Sequence, residues 1–241
     1  IIRAMKESGC KKASISIESA SPQVLKKMKK PVNLEKSLVL INECKKIGLP
    51  ITANFVTGMH YETKEDMMMT FEWAEYAKPD WSTFSILAPY PGTEIFDQCV
   101  EEGYLNTDTV DLEWFSHRNS AIETDAWDKQ WVTDKTYHYN LMINFVKNHN
   151  LVGDGKNLDF AIGFFEYVAL HHKKHLLGLI ALSYAMKKKG EEIKAGELLE
   201  RALEIVDDPE VQEVFGPYLK MDEEIINYFL HWCEEREAAV A

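Results

Sequence analysis

Hydrophobic and polar positions follow two different patterns along the chain. Over residues 1–88, short β-branched runs alternate with amphipathic stretches, whereas residues 94–241 show helical patterns and loops. The β-branched runs predict three strands, at Ala13–Glu18, Ile51–Thr57 and Trp81–Leu87. Because a helix is predicted between each strand and the next, the strands should be parallel and joined by right-handed crossovers. We therefore expect an α/β region followed by an all-α region.

Helix signals surround these strands and fill the rest of the chain. Ser21, Asn33 and Thr63 each stand at a position typical of a helix N-cap. The pattern predicts a loop over residues 104–132, and the stretch 176–206 resembles one tetratricopeptide-type helical pair. Beyond the third strand, helices are predicted at residues 94–102, about 133–149, 158–189 with an interruption near 171–174, 194–206 and about 223–238.

Polar residues near the predicted strand ends are the first candidates for a site. In open parallel sheets and in βα barrels, ligands bind at the carboxyl ends of the strands. The candidates at these ends are Ser16, Glu18, Asn54, Gly58 and Ala88. Alternation also puts Ser14, Ser16 and Glu18 on one face, which is unusual for a buried parallel strand. Two alternatives remain open: a rim carboxylate at Glu18 that pairs with a lysine, and an ordinary turn at Gly58.

The net charge of the chain and its local basic run limit the classes of binding partner that the sequence favours. The 241 residues carry 39 acidic and 27 basic side chains, a formal net charge of −12, which argues against a nucleic-acid partner. A local basic run, formed by Lys26, Lys27, Lys29 and Lys30, predicts the solvated end of a helix, with a phosphate-binding patch as the alternative. No apolar run approaches ~18 residues, so no membrane span is predicted.

The four cysteines form no metal or cluster motif. Cys10, Cys44, Cys99 and Cys233 are widely and irregularly spaced. Together with the absence of a secretory signal, such thiols favour a cytoplasmic location. The histidines within residues 171–175 are flanked by lysines, which disfavour a bound cation. We therefore predict no metal ligands in this chain.

Three strings resemble the second half of the radical S-adenosylmethionine (SAM) core domain. MKESGCKKASISIESASPQVLKKMKK (residues 5–30) is similar to the family's fourth-strand segment, and ITANFVTGMHYETKEDM (residues 51–67) to its fifth. WSTFSILAPYPGTEIFDQCVEEGYL (residues 81–105) is similar to the sixth strand and its exit. This third string most resembles radical SAM proteins that carry an upstream cobalamin-binding domain. The order and spacing of the strings also agree with the family.

The resemblance implies a fold and a chemistry. Residues 1–103 would be the carboxyl-terminal half of a partial (βα) barrel, and residues 104–241 a helical extension. In the family, a [4Fe-4S] cluster on a CxxxCxxC loop binds SAM and cleaves it reductively, which gives a 5′-deoxyadenosyl radical that abstracts hydrogen from a substrate. The catalytic residues and the substrate of this chain stay unknown at this point.

The resemblance also assigns SAM-binding roles to positions in this sequence. Ser16 and Glu18 match fourth-strand positions that reach the ribose or methionine part of SAM, and Asn54 matches a polar position near the ribose. The positions that match the adenine-contacting segments are Val56, Gly58, Leu87 and Ala88.

Departures from the family pattern add two expectations. Because CxxxCxxC is absent and Ile1 is not a methionine, we expect a fragment of a longer enzyme, inactive alone, whose cluster ligands lie outside this chain. Cobalamin would then be bound, if used, by an upstream domain. His60 and Tyr61 replace the proline and glycine that are common in the family, so we regard both as candidate substrate contacts.

Two other function classes remain. A non-radical βα-barrel lyase would need a lysine or metal ligands at the strand ends, and the sequence shows neither. Alternatively, the helical tail is a module that binds a protein partner, and the α/β part is degenerate.

Overall fold

The computed structural model describes residues 1–106 and 118–240, and its contacts divide the chain into two compact units, Ile1–Asn140 and Leu141–Ala241. Part of the predicted loop, residues 107–117, lies outside the described residues. The predicted domain boundary at residue 103 falls within the first unit and stays a prediction.

The elements alternate between helices and strands at first and are helical thereafter. In chain order they are α1 (Ile2–Glu7), β1 (Ala13–Glu18), α2 (Pro22–Lys27), α3 (Leu34–Ile47), β2 (Ile51–Thr57), α4 (Lys64–Ala77), β3 (Trp81–Ile86), α5 (Glu94–Glu101), α6 (Lys129–Leu141), a π-helix (Met142–Val146), α7 (His149–Val152), α8 (Leu158–His171), α9 (Leu176–Lys188), α10 (Glu192–Val206), α11 (Pro209–Leu219) and α12 (Glu224–Val240). The α/β region followed by an all-α region is therefore confirmed.

The three strands form one parallel sheet in the order β1-β2-β3. Both β1 and β2 have the predicted bounds, whereas β3 ends at Ile86, one residue before its predicted end. Asn54 in β2 lies opposite Ser16 of β1 and Thr83 of β3. This register aligns the carboxyl ends of the strands, so the loops that follow all three strands lie at the same edge.

Helices cover one face of this sheet. Phe55 and Phe84 stack with ring centroids 4.7 Å apart, and Phe71 of α4 stacks on Tyr139 of α6 at 4.2 Å. The side chain of Asn140 accepts a hydrogen bond from the backbone N–H of Phe84 and donates one to its carbonyl oxygen. Because this amide pairs with both backbone groups, as a neighbouring strand would, it covers part of the edge of β3.

A buried carboxylate joins the starts of two helices. Ser21, the N-cap of α2, and Thr63, the N-cap of α4, both donate side-chain hydrogen bonds to Asp66, which Gln23 also contacts. Burial raises the pKa of Asp66, but the hydrogen bonds from Ser21, Thr63 and Gln23 outweigh it and hold the pKa below its ordinary value. The predicted capping at Ser21 and Thr63 is therefore present, and the two caps share one acceptor.

The helical unit is arranged around α9. Ten of the thirteen residues of α9 are buried, because α8, α10 and α12 pack against it from different sides. Ser183 of α9 donates a hydrogen bond to the carbonyl of Ala195 in α10, which joins the predicted helical pair. Whether the pair is related to tetratricopeptide repeats stays a prediction.

Two helical predictions need correction. The helix expected at about 133–149 begins earlier, at Lys129, and continues as the π-helix, all five residues of which are buried. Between the helices expected at 194–206 and about 223–238, no helix was predicted, but the chain forms α11, because Asp208 caps the helix and Pro209 occupies its first position. Within the described residues, no helix is both long and apolar enough to cross a membrane.

Candidate functional site

One face of the sheet is polar and open. Alternation along the strands brings Ser14 and Ser16 of β1, Asn54 of β2, and Thr83 and Ser85 of β3 to the face opposite the aromatic core. Ser14, Ser16 and Thr83 are exposed, and Asn54 and Ser85 are partly buried. Parallel sheets are normally covered on both faces. An open polar face in the middle of such a sheet is therefore the main feature that calls for a ligand or further protein.

Hydrogen bonds hold the polar groups of this face in place. The side-chain amide of Asn54 donates to Oγ of Ser14 at 3.1 Å, and the hydroxyl of Thr52 donates to the same oxygen at 3.0 Å. The structure thus brings Asn54 and Ser16, two predicted site residues, onto adjacent strands in direct register. Ser14 was recognised only as part of a polar face, although it is the acceptor that orients Asn54.

Glu18 ends β1 in an unusual conformation. The register shifts between Ser16 and Glu18, which is a β-bulge, and Glu18 has a positive φ of 67°. Such a backbone costs of order 1–3 kcal/mol for a residue other than glycine. The bulge breaks the strict alternation that was used to predict the direction of Glu18. The carboxylate forms an ion pair with Lys30 at 3.0 Å, and the Glu18 side chain is only 13% exposed, as the alternative of a rim carboxylate predicts.

The loop after β2 is built around a buried carboxyl group that the sequence analysis missed. Glu62 is 1% exposed, and its Oε2 accepts hydrogen bonds from the backbone N–H groups of Gly58, at 2.8 Å, and Met59, at 3.1 Å. Its other oxygen, Oε1, is buried and has no hydrogen-bond partner among the described residues. Burial raises the pKa of Glu62 to about 8, although the two backbone hydrogen bonds lower it. The sequence signal was a glutamate directly before a helix N-cap.

Gly58 is required by both backbone and packing. Its φ is +80°, and a Cβ at this position would lie 3.3 Å from Cγ1 of Val132. The indole of Trp127 lies nearby and donates a hydrogen bond to the carbonyl of Glu62 at 2.8 Å. Gly58 therefore leaves room for the neighbouring side chains of the α/β unit. This is consistent with the alternative that Gly58 forms an ordinary turn.

His60 and Tyr61, the candidate substrate contacts, have different environments. His60 is 6% exposed, with Nδ1 3.7 Å from Sγ of Cys99 and Nε2 3.5 Å from the Glu102 carboxylate. Burial lowers the pKa of His60; Glu102 opposes this effect and Lys27 adds to it. Tyr61 is partly exposed and lines a cavity, with Nζ of Lys27 4.8 Å from its ring centroid. Of the two, only Tyr61 is therefore well placed to meet a ligand in this chain.

The predicted adenine-contacting positions lie at the same edge of the sheet. Val56 is partly buried on the open face, next to Ser85 in the register, whereas Leu87 and Ala88 are 8% and 9% exposed just after β3. The backbone N–H of Leu87 donates to the carbonyl of Thr57, which continues the ladder past the end of β3. Val56, Leu87 and Ala88 thus form an apolar border to the polar face.

Within the described residues, no group of three or more His, Cys, Asp or Glu side chains is arranged to hold a metal ion. None of the four cysteines forms a disulfide, and Cys44 and Cys99 are buried. Burial raises the pKa of the Cys99 thiol to about 11. A raised pKa keeps the Cys99 thiol protonated near neutral pH, unlike a reactive thiolate.

Comparison with known proteins agrees with the resemblance seen in the sequence. Residues 1–74 match the family profile described as the Radical SAM superfamily. This match covers α1 to most of α4, and therefore includes Ser16, Glu18, Asn54 and Gly58.

Several similar curated proteins are named as methyltransferases or methylthiotransferases. An uncharacterized methyltransferase of Pyrococcus horikoshii is 34% identical over 107 residues, 44% of this chain and 23% of the relative. Cytidylyl-2-hydroxyethylphosphonate methyltransferase of Streptomyces wedmorensis is 27% identical over 148 residues, 58% of this chain and 28% of the relative. A ribosomal protein uS12 methylthiotransferase of Mesorhizobium japonicum is 32% identical over 120 residues, 48% of this chain and 27% of the relative. The chain thus spans about a quarter of the length of these relatives.

Proposed function

Starting from the radical SAM match of residues 1–74, we propose that this chain supplies one side of a SAM-binding (βα) barrel in a longer enzyme that transfers a methyl or methylthio group. The class of reaction follows the names of the similar proteins.

The open polar face of the sheet is the observation that carries this proposal. The aromatic face is covered by α4 and α6, while the face with Ser16, Asn54 and Thr83 is exposed. In a closed barrel this face would line the interior, where ligands bind near the carboxyl ends of the strands. The polar groups would then meet a ligand instead of water.

The residues of this face suit the chemical groups of SAM. Hydroxyl and amide side chains at Ser16 and Asn54 can donate to and accept from ribose hydroxyls, and the Glu18 carboxylate can accept from them. Val56, Leu87 and Ala88 offer apolar surface for an adenine ring, with Gly58 in the adjoining turn. We propose these seven residues as the contribution of this chain to SAM binding.

The [4Fe-4S] cluster requires ligands that this chain does not offer. In the family that this chain resembles, the three cysteines of a CxxxCxxC loop hold the cluster, and the cysteines here are far apart in the sequence. We therefore propose that the cluster is held elsewhere in the longer protein, and that this chain alone is inactive. When both groups are bound, SAM and the reduced cluster supply the radical chemistry, and the chain binds, orients and shields SAM. Cobalamin, in an upstream domain, stays a candidate cofactor.

Substitution at the strand ends tests the SAM site. In the full-length protein, Glu18→Ala and Asn54→Ala should each weaken SAM binding about tenfold, since each removes a hydrogen bond to a polar ligand. Isothermal titration with SAM gives the affinities, and the melting temperature controls for folding. Lys30→Ala is the matched control, because it removes the ion-pair partner of Glu18 and leaves the carboxylate. Unchanged affinity in Glu18→Ala, or an equal loss in Lys30→Ala, would remove the role of Glu18.

A groove in the helical unit favours a second function, the binding of a protein partner. The groove has a volume of about 630 Å³, and its lining includes Leu179 and Leu182 of α9, Leu170 of α8 and Ile205 of α10. Leu170 is 69% exposed. A photo-crosslinking residue in place of Leu170 should yield a specific crosslinked partner. The same residue in place of Ile193, which is 81% exposed but does not line the groove, serves as the control. Equal crosslinking at both positions would argue against a partner site.

We also propose a cytoplasmic location, which four cysteines without a disulfide support.

A further inference from the structure

A second cavity lies at the edge of the sheet where the strands end. It has a volume of about 200 Å³, and each of the three connections that follow β1, β2 and β3 contributes to its lining. The lining residues are Lys27, Met28, Lys29, Met59, Tyr61, Leu87, Glu94, Ile95 and Gln98. This position is the one where βα folds bind their ligands. None of the proposed SAM-binding residues except Leu87 belongs to this lining.

The cavity combines apolar walls with a polar rim. Met59 and Leu87 are buried at 6% and 8% exposure, and Ile95 of α5 also contributes apolar surface. Tyr61 lines the cavity together with these side chains. A pocket with these walls favours a ligand that has an apolar body as well as a polar end.

The charges of the rim do not cancel. Lys29 contacts both oxygens of Glu94 at 2.8 Å, and Gln98 donates a hydrogen bond to the same carboxylate. The Glu94 charge is thereby balanced by Lys29. Lys27 forms no ion pair with the described residues, and its ammonium lies over the ring of Tyr61. One positive charge therefore remains at the mouth of the cavity, in a chain whose net charge is −12.

The phenol of Tyr61 adds a hydrogen-bond donor next to this charge. Burial, with smaller contributions from Glu62 and Cys99, raises the pKa of Tyr61 to about 12. The hydroxyl therefore keeps its proton at physiological pH and can donate to an anion. The Lys27 ammonium, 4.8 Å from the centroid of the Tyr61 ring, and the phenol hydroxyl of that ring are groups suited to bind phosphate or carboxylate oxygens.

We propose that this cavity binds the anionic end of the substrate, a phosphate or carboxylate attached to an apolar body, through Lys27 and Tyr61. The inference rests on the proposed function in assigning the ligand to the substrate, whereas binding of the anion itself needs neither SAM nor a cluster. The sequence analysis left two interpretations of the basic run, a phosphate-binding patch and the solvated end of a helix. For Lys27, the proposal favours the phosphate-binding patch.

Methionine-methyl NMR on the 241-residue chain tests the site. Met28 and Met59 line the cavity, whereas Met186 belongs to the helical unit and serves as the internal reference. Titration with phenyl phosphate or benzoate should shift the methyl signals of Met28 and Met59 saturably and leave Met186 unchanged. The tighter of the two probes identifies the head group. Inorganic phosphate and benzyl alcohol, which each offer only half of the ligand, should bind at least about tenfold more weakly.

Two neighbouring lysines provide matched variants. Lys27→Gln should weaken binding of the tighter probe about tenfold, and Tyr61→Phe about threefold, because it keeps the ring and removes the hydroxyl. Lys26→Gln, which changes an exposed lysine outside the lining, should leave affinity within about twofold. No saturable shift with either probe, or equal losses in Lys26→Gln and Lys27→Gln, would overturn the proposal. Since SAM is absent from this experiment, its failure would leave the SAM site untouched, and loss of SAM binding would leave this result standing.

Discussion

In the α/β unit, one face of the sheet is packed and the other is left open, whereas in the helical unit the central helix α9 is surrounded by its neighbours. The two units also differ in the polar side chains that they bury. The α/β unit buries three carboxyl groups: Glu62 in the loop after β2, Asp66 in the first turn of α4, and Asp80 just before β3. The described residues of the helical unit bury only uncharged polar side chains, such as Ser183 within α9, and the imidazole of His175 at the start of α9 is partly buried. Among the described residues, the buried carboxyl groups therefore all belong to the α/β unit.

The largest expected effect is a loss of stability of the α/β unit at high pH. The folded state raises the pKa of Glu62 from 4.5 to about 8, so it binds the proton more tightly than the unfolded state does. The contribution of Glu62 to the free energy of unfolding is complete below pH 4.5 and is lost as the pH rises through 8. The loss is at most about 5 kcal/mol, at about 1.4 kcal/mol for each pKa unit. Hydrogen exchange of β2 and its loop between pH 5 and pH 9, corrected for the intrinsic rate, measures it.

Glu62→Gln is the control for this prediction. The glutamine oxygen can still accept from Gly58 and Met59, but the side chain does not titrate. Its exchange profile should therefore be flat over the same range. A wild-type profile as flat as that of the variant would show that Glu62 is not held in a protonated state.

The helical unit should show the opposite pH dependence. His175 accepts a hydrogen bond at Nδ1 from the N–H of Gly178 and packs on Phe145 and Phe215, and burial lowers its pKa from 6.5 to about 4. Protonation of Nδ1 would remove this acceptor. The stability from neutral His175 is complete above pH 6.5 and is lost as pH falls through 4, a change of about 3 kcal/mol.

Exchange of the α9 amides between pH 7 and pH 4 measures this loss. His175→Asn keeps an N-cap acceptor without a titrating group, so its profile should be flat. If wild type and His175→Asn lose equal stability on acidification, the histidine is not responsible.

A smaller effect is expected at the shared helix cap. Asp66→Ala should cost about 2 kcal/mol, because it leaves the donors of Ser21 and Thr63 without their buried acceptor. Glu65→Ala, in the same helical turn but exposed, should stay within about 0.5 kcal/mol of wild type. Urea denaturation, monitored by hydrogen exchange of the backbone amides of α2 and α4, gives the change in the free energy of unfolding for both variants. Equal effects of the two variants would contradict the role assigned to Asp66.

The strands and most helices could be predicted from the sequence because their signals are local. Alternation in β1 and β2 gave their bounds, and the caps at Asn33 and Thr63 gave the starts of α3 and α4. The helix α11 was missed because Asp208 and Pro209 were interpreted as the end of α10. The same two residues are an N-cap and a first-turn proline.

The candidate site was less predictable, because it depends on contacts between distant residues. The ion pair between Glu18 and Lys30 was foreseen only as a general alternative, and the bulge that turns Glu18 leaves no mark in the alternation. The burial of Glu62 cannot be seen in a sequence where glutamate is common on surfaces. Similarly, the surroundings of His60 come from α5, which lies about forty residues further along the chain.

The smallest stability effect is expected on the open face. Ser16→Ala and Thr83→Ala remove exposed hydroxyls, so each should change the free energy of unfolding by less than about 0.5 kcal/mol. The covered face should behave differently: Phe84→Ala, which is 4% exposed in the wild type, should cost about 3 kcal/mol. Urea denaturation of the three variants compares the two faces directly. A large cost at Ser16 or Thr83 would mean that the face is packed.

Protection of the open face by SAM tests the central claim most directly. In the full-length protein, Ser16→Cys and the partly exposed control Glu43→Cys on α3 are each labelled with a maleimide, with and without SAM, and the labelled peptides are quantified by mass spectrometry. We predict that SAM slows labelling at position 16 at least about tenfold and leaves position 43 unchanged. Equal rates at position 16 with and without saturating SAM would contradict the assignment of this face to SAM.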